Sequence, residues 1–211
     1  MSSLATLLTL SDSRLPTGGH VHSGGVEEAV TSGLVTDLPT LRAFLVRRIR
    51  THGLVTASVA AAVHAGNLSI ADADRETDAR TPAPAARQAS RAQGRGLARL
   101  ARRVWQHRDW AVLGTTPHLA VAAGAVGVAG GLNPDHTTLS VVYTTMTGSA
   151  TAAQRLLALD PGDVAALTFE LAPLCEATAA EAGKELADLS DPLLDVLARR
   201  HSQRERPLFV S

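Results

Sequence analysis

Aromatic side chains, lysine and cysteine are all scarce in this chain of 211 residues. Only Phe44, Trp105, Trp110, Tyr143, Phe169 and Phe209 carry rings of that kind. A core so poor in rings must be built from Ala, Leu and Val, which suits close helix packing better than aromatic-rich strands. Cys175 is the single cysteine, so an internal disulfide is excluded and a reducing compartment fits. Lys184 stands alone against nineteen arginines, a skew that genomic base composition explains. Acidic and basic residues balance at twenty each, so no net field steers nucleic acid or an anionic membrane to the surface. Long apolar runs are missing too. The stretch "LAVAAGAVGVAGGLN" (119–133) is too short and too rich in glycine for a membrane span of ~20 residues. The start "MSSLATLLTLSDSR" has no basic region ahead of its apolar residues, so no signal peptide is expected. Together these absences lead to the expectation of a cytoplasmic protein.

Strand signals are absent as well; no alternating β-branched run is bounded by hairpin turns. Helical periodicity takes their place. Leu38, Leu41, Leu45 and Ile49 recur at spacings of three and four, with Thr36 or Asp37 placed to cap and Pro39 in the first turn. "LVTASVAAAVHAG" reads as a small-residue helix ending at Gly66. Residues 71–86 mix charges, prolines and alanines without period and predict a mobile loop. Helices follow over 87–107, 118–131, 135–159, 163–182 and 190–200, and another begins near Gly25. The pattern predicts one all-α domain over 1–211, a helical bundle of roughly eight helices. Its tail, 201–211, turns from polar to apolar, as expected of a segment that orders beneath a partner.

Few motifs carry chemistry. No G-x-x-x-x-G-K-[ST] loop is present to cradle phosphates, and the glycines at 124, 127, 130 and 131 fit close helix approach better than a dinucleotide turn. Ser23 lies in "HVHSGG", outside any nucleophile elbow, and Cys175 sits in a leucine-and-alanine helix as a small apolar residue. Glu27 and Glu28 point about 100° apart on a helix and cannot share a proton; a helix N-terminus accounts for them. His20 and His22 would share one side of an extended segment and could hold nickel, copper or zinc; loop anchoring is the alternative. Arg87, Arg91, Arg95, Arg99 and Arg103 recur every four residues beside Arg102. Internal ion pairs or an acidic protein partner suit this stripe better than a nucleic acid, given the scarcity of rings.

The stretch "RLPTGGHVHSGGVEE" (14–28) resembles the N-terminal signature of the urease accessory protein UreF family through Leu10, Ser11, Leu15, Pro16, Gly18, Gly19, Ser23, Gly25 and Glu27. Ser90, Gly94, Arg95 and Leu97 resemble a second family segment. Tyr143, Arg155 and Leu156 fall in the central helices, and Asp195, His201, Leu208, Phe209 and Ser211 in the C-terminal one. His20 and His22 depart from the usual aromatics, and Ser202, Glu205 and Pro207 from the usual tail. The resemblance implies an all-α, non-enzymatic adaptor without a cofactor. It would dimerise, bind UreD (also called UreH), and recruit and regulate the GTPase UreG for nickel insertion into apo-urease. The partner-binding residues so implied are Leu15, Pro16, Gly18, Gly19, Ser23, Gly25, Glu27, Arg95, Tyr143, Arg155, His201, Leu208 and Phe209. The other reading is a metal-binding protein or metal-dependent enzyme using His20 and His22.

Overall fold

The computed structural model describes residues 4–17, 19–189, 191–205 and 207–209, with the His20 side chain outside the description. Gly18, Ser190 and Ser211 from the sequence readings also lie outside the described residues. Every regular element among the described residues is helical: α1 Leu4–Leu10, α2 Val26–Thr31, α3 Leu38–Arg48, α4 Leu54–His64, α5 Ile70–Ala79, α6 Pro84–Val104, α7 Leu119–Ala129, α8 Pro134–Leu157, α9 Pro161–Ala182 and α10 Pro192–His201. No described helix is long and apolar enough to cross a membrane.

Local chemistry explains most of the ends. Asp37 accepts from the Thr40 amide while the Thr40 hydroxyl accepts from the Asp37 amide, a reciprocal cap with Pro39 in the first turn. Asn133 and Asp160 cap α8 and α9 by accepting from first-turn amides, each followed by proline. α3 and α4, expected as two helices, form one rod. Gly53 does not stop it, because its φ of −60° is helical, and a π turn over Ile49–Gly53 carries the chain through. There the Leu54 amide reaches the Ile49 carbonyl, five residues back.

The predicted loop at 71–86 needs correction. Residues 70–79 are α5, capped by the Ser69 hydroxyl, which accepts from the Asp72 amide. Its buried residues are only Ala73 and Thr77, with Ile70 half-buried at its start, too few to register as a hydrophobic stripe. Ion pairs of Arg75 with Asp72 and of Arg80 with Glu76 support the exposed side. Only the short link around Pro82 is non-helical.

The core has two parts that meet across α4. Leu41, Leu45, Val142, Met146, Leu167 and Leu171 gather on one side, between α3, α8 and α9. Val59, Val63, Leu97, Val121 and Val126 gather on the other, between α4, α6 and α7. α4 approaches α7 so closely that a Cβ on Gly124 would lie 2.5 Å from the Ala60 carbonyl oxygen. Cys175 is buried against the Met146 sulfur, 3.6 Å away, and burial pushes its thiol up to about 11. It behaves as the small apolar residue expected.

Three histidines, His118 buried and His52 and His64 half-buried, make the fold sensitive to acid. Burial holds the His52 ring down to about 3 and lowers those of His64 and His118. The folded chain therefore keeps them neutral where the unfolded chain protonates them. Their contribution is complete above the ordinary histidine value of 6.5 and lost as pH falls below it, down to about 3 for His52. Urea titrations should show stability about 2 kcal/mol lower at pH 5 than at pH 7.5 from His52 alone. A flat profile over that window would contradict this packing.

Candidate functional site

The N-terminal loop is built to bring two carboxylates under the C-terminal tail. Asp12 accepts from the Arg14 amide and pairs with its guanidinium, closing a turn. The chain then crosses α6 at Gly96, where a Cβ would sit 2.3 Å from the Thr17 carbonyl oxygen. After the 3₁₀ turn Gly19–Val21, Gly24 and Gly25 take left-handed φ values of 64° and 91°, which glycine adopts without strain. A Cβ on Gly25 would lie 3.7 Å from the Leu197 side chain of α10. Ser23 is fully buried. Its hydroxyl accepts from the Glu27 amide, and its carbonyl accepts from the Ser149 hydroxyl at 3.2 Å. Glu27 and Glu28 then stand in the first turn of α2, both buried.

The tail closes over them. Glu27 accepts from the Leu208 amide at 2.8 Å and from the Phe209 amide at 3.1 Å, one on each carboxylate oxygen. The His201 Nε2 lies 3.2 Å from the Phe209 carbonyl, so that nitrogen carries the proton. Its Nδ1 is buried 3.5 Å from Glu27. Arg204 pairs with Glu28 at 3.2 Å and donates to the Thr31 hydroxyl at 2.6 Å. The Arg155 guanidinium lies over the Phe209 ring, 5.5 Å from its centroid. Phe209 is buried by these contacts, whereas Leu208 is 80% exposed. The tail as far as Phe209 thus has a seat on its own chain. That differs from an expectation of order only beneath a partner: Phe209 finds its cover in Arg155, and its backbone a fixed acceptor in Glu27.

Residues far apart in sequence therefore converge. Ser23, Gly25, Glu27, Arg155, His201, Leu208 and Phe209 share this site. Leu15 packs into the core beside α6 and Pro16 is exposed, with Gly19 a few residues on. Arg95 is exposed on α6 next to Gly96, and Tyr143 is 38% exposed on α8. Sequence reasoning missed Arg204 as a partner of the acidic pair; two adjacent carboxylates heading for burial were the signal, because they need a cation. Beyond the partner-binding role implied by the resemblance, it gave Glu27 only a helix-dipole role and not that of acceptor for the tail amides.

The metal readings fare differently. Residues 19–21 form a 3₁₀ turn, so the extended geometry that would align His20 with His22 is not present. His22 is buried. Asp74, Asp78 and His118 place ligand atoms within 4.8 Å of one another. Arg91 already occupies that cluster, 2.9 Å from Asp74 and 2.7 Å from Asp78, and His118 is held between Asp78 and Ser90. The cluster is an ion-pair hub tying α5 to α6 and α7. Half of the arginine stripe is engaged in this way: Arg87 caps carbonyls at Thr81 and Pro82, and Arg102 reaches the Gly114 carbonyl. Arg95, Arg99 and Arg103 are exposed and have no ion pair among the described residues.

Comparison with known proteins places relatives beside this geometry. The family model for UreF matches residues 35–172, more than half of the chain. Over the full length of both chains, the sequence is 81% identical to a protein named urease accessory protein UreF from Mycolicibacterium vanbaalenii. Proteins of the same name from Mycobacterium sp. (strain JLS) and Mycobacterium tuberculosis (strain H37Ra) are 78% and 70% identical, again with full coverage of both chains.

Proposed function

Since this chain belongs to the UreF family of urease accessory proteins, we propose that it supports urease maturation as a non-enzymatic adaptor. In this reading it docks on UreD/UreH, recruits and regulates the GTPase UreG, and couples its cycle to nickel delivery into apo-urease. Nickel is cargo for the assembly rather than a cofactor of this chain, and the working unit is a homodimer within a larger cytoplasmic complex. The observation that carries the proposal is the seated tail, which holds Leu208 outward at 80% exposure while the backbone amides of Leu208 and Phe209 are fixed on Glu27. A large aliphatic side chain held in water on a fixed backbone is a ready anchor for a protein partner. Phe169, 81% exposed on α9, and the free cations Arg95, Arg99 and Arg103 offer further contacts of the same kind.

Two measurements test it. Leu208→Asp should weaken binding to UreD at least tenfold by calorimetry while leaving thermal stability unchanged, since the side chain contacts solvent; an unchanged affinity would remove the tail from the interface. In the host, deletion of the gene should abolish nickel incorporation into urease, and full urease activity without it would overturn the assignment.

A further inference from the structure

A second site lies at the π turn. A cavity of about 570 Å³ runs between the N-terminal loop and helices α3, α4, α6, α8 and α10, with Arg48 and His52 on its wall. A π turn interrupts the regular helical ladder, and such turns recur at functional sites. Here it places both side chains, one before the turn and one within it, toward the same space.

Arg48 is the unusual group. Its Nε is fully buried without a hydrogen-bond partner, and its guanidinium forms no ion pair or hydrogen bond with any described residue. The carboxylate nearest in role, Asp191, is committed to Arg47 through a two-pronged pair at 2.7–2.9 Å and to the Thr51 hydroxyl at 3.0 Å. It attracts Arg48 only through space. Other charged groups on the wall are engaged as well: Arg14 with Asp12, Arg80 with Glu76, Arg155 over Phe209, and Asp195 with the Ala83 amide. Backbone lies directly against the guanidinium, because a Cβ on Gly24 would come within 2.5 Å of Nη2. Burial brings Arg48 down to about 10, which leaves it a full cation at neutral pH, while His52 beside it is neutral. A desolvated, unpaired cation is unfavourable unless an anion meets it.

We propose that this cavity binds a small oxyanion, held in the two-pronged fork of the Arg48 guanidinium beside the His52 ring. The planar fork matches two oxygens of a carboxylate, carbonate or phosphate group, and a mostly apolar enclosure strengthens that pairing.

The test uses the full-length chain with sodium bicarbonate, sodium phosphate and sodium formate as separate probes, each against sodium chloride at equal ionic strength. At least one probe should bind saturably by calorimetry and, at about 100 times its Kd, raise Tm by roughly 5–10 °C; the responding probe identifies the ligand. Arg48→Met, which removes the charge but keeps an apolar side chain, should abolish the binding while keeping the fold. Arg48→Lys retains the charge without the fork and should weaken it at least tenfold, which covers the case of an unfolded Met variant. No saturable binding by any of the three probes overturns the proposal. So does equal affinity in either variant, since general salt stabilisation would survive both substitutions.

Discussion

Glu27→Ala should release the C-terminal tail and lower stability by about 2–4 kcal/mol. Two routes are open to the variant. If the tail stays, the amides of Leu208 and Phe209 lose their acceptor in a buried place, which costs about 1–3 kcal/mol for each. If it leaves, both amides find water, and the loss is mainly the burial of Phe209, about 1.5–3 kcal/mol, with the Arg155 contact. Departure is the cheaper route, and it sets the ceiling. Hydrogen exchange at Leu208 and Phe209 should therefore accelerate roughly 30-fold or more while α3, α8 and α9 keep their protection. Glu27→Gln, which keeps one acceptor oxygen and turns an NH₂ toward the other amide, should fall between. Unchanged exchange in Glu27→Ala would show that the carboxylate does not hold the tail.

Gly124→Ala should destabilise the protein by about 2 kcal/mol or more, against the usual sign. Replacing a helical glycine by alanine ordinarily stabilises by up to about 1 kcal/mol, through the entropy of the unfolded chain. At Gly124 the added carbon would lie 2.5 Å from the Ala60 carbonyl oxygen and 2.7 Å from the Val63 Cβ. Neither is the free end of a flexible side chain, so α4 and α7 must separate. Because α4 joins both halves of the core, that shift loosens both. Gly148→Ala on α8 is the control, as nothing lies within 4 Å of its added carbon, and it should keep the ordinary stabilising sign. The two variants, compared by urea denaturation, should move in opposite directions; equal shifts would disprove the close crossing.

Which parts of this structure could be read from the sequence follows from what each part depends on. The helices of Leu38–Ile49, 134–157 and 161–182 were legible because caps, prolines and apolar spacing agree locally. α5 was not, since a face of Ile70, Ala73 and Thr77 leaves little hydrophobic signal and its stability rests on packing and ion pairs. The join at Gly53 was hidden for a different reason: glycine there reads as a stop, and only its tertiary contacts hold it helical. Some of the signature residues, Ser23, Gly25, Glu27, Arg155, His201, Leu208 and Phe209, meet at the candidate site, but the sequence does not show why. Glu27 looks like an ordinary first-turn acid until the chain returns from residue 208, and that return is a long-range fact. Arg48 gave no sign at all, one arginine among nineteen, because its isolation is a property of the cavity around it.

The π turn has a further meaning in angles. Leu41, Leu45, Ile49, Gly53, Ala57 and Ala61 are all buried, a series with a strict interval of four. In a regular helix each such interval advances about 40° around the axis, so the series would wind through about 200° and its last members would face away from the first. One wide turn takes back about half of that rotation, since it accommodates one residue more than an α-helical turn does. The rod is in effect rephased at its middle. Its first half can face α8 and α9 while its second half still meets α8 and turns a flank to α7.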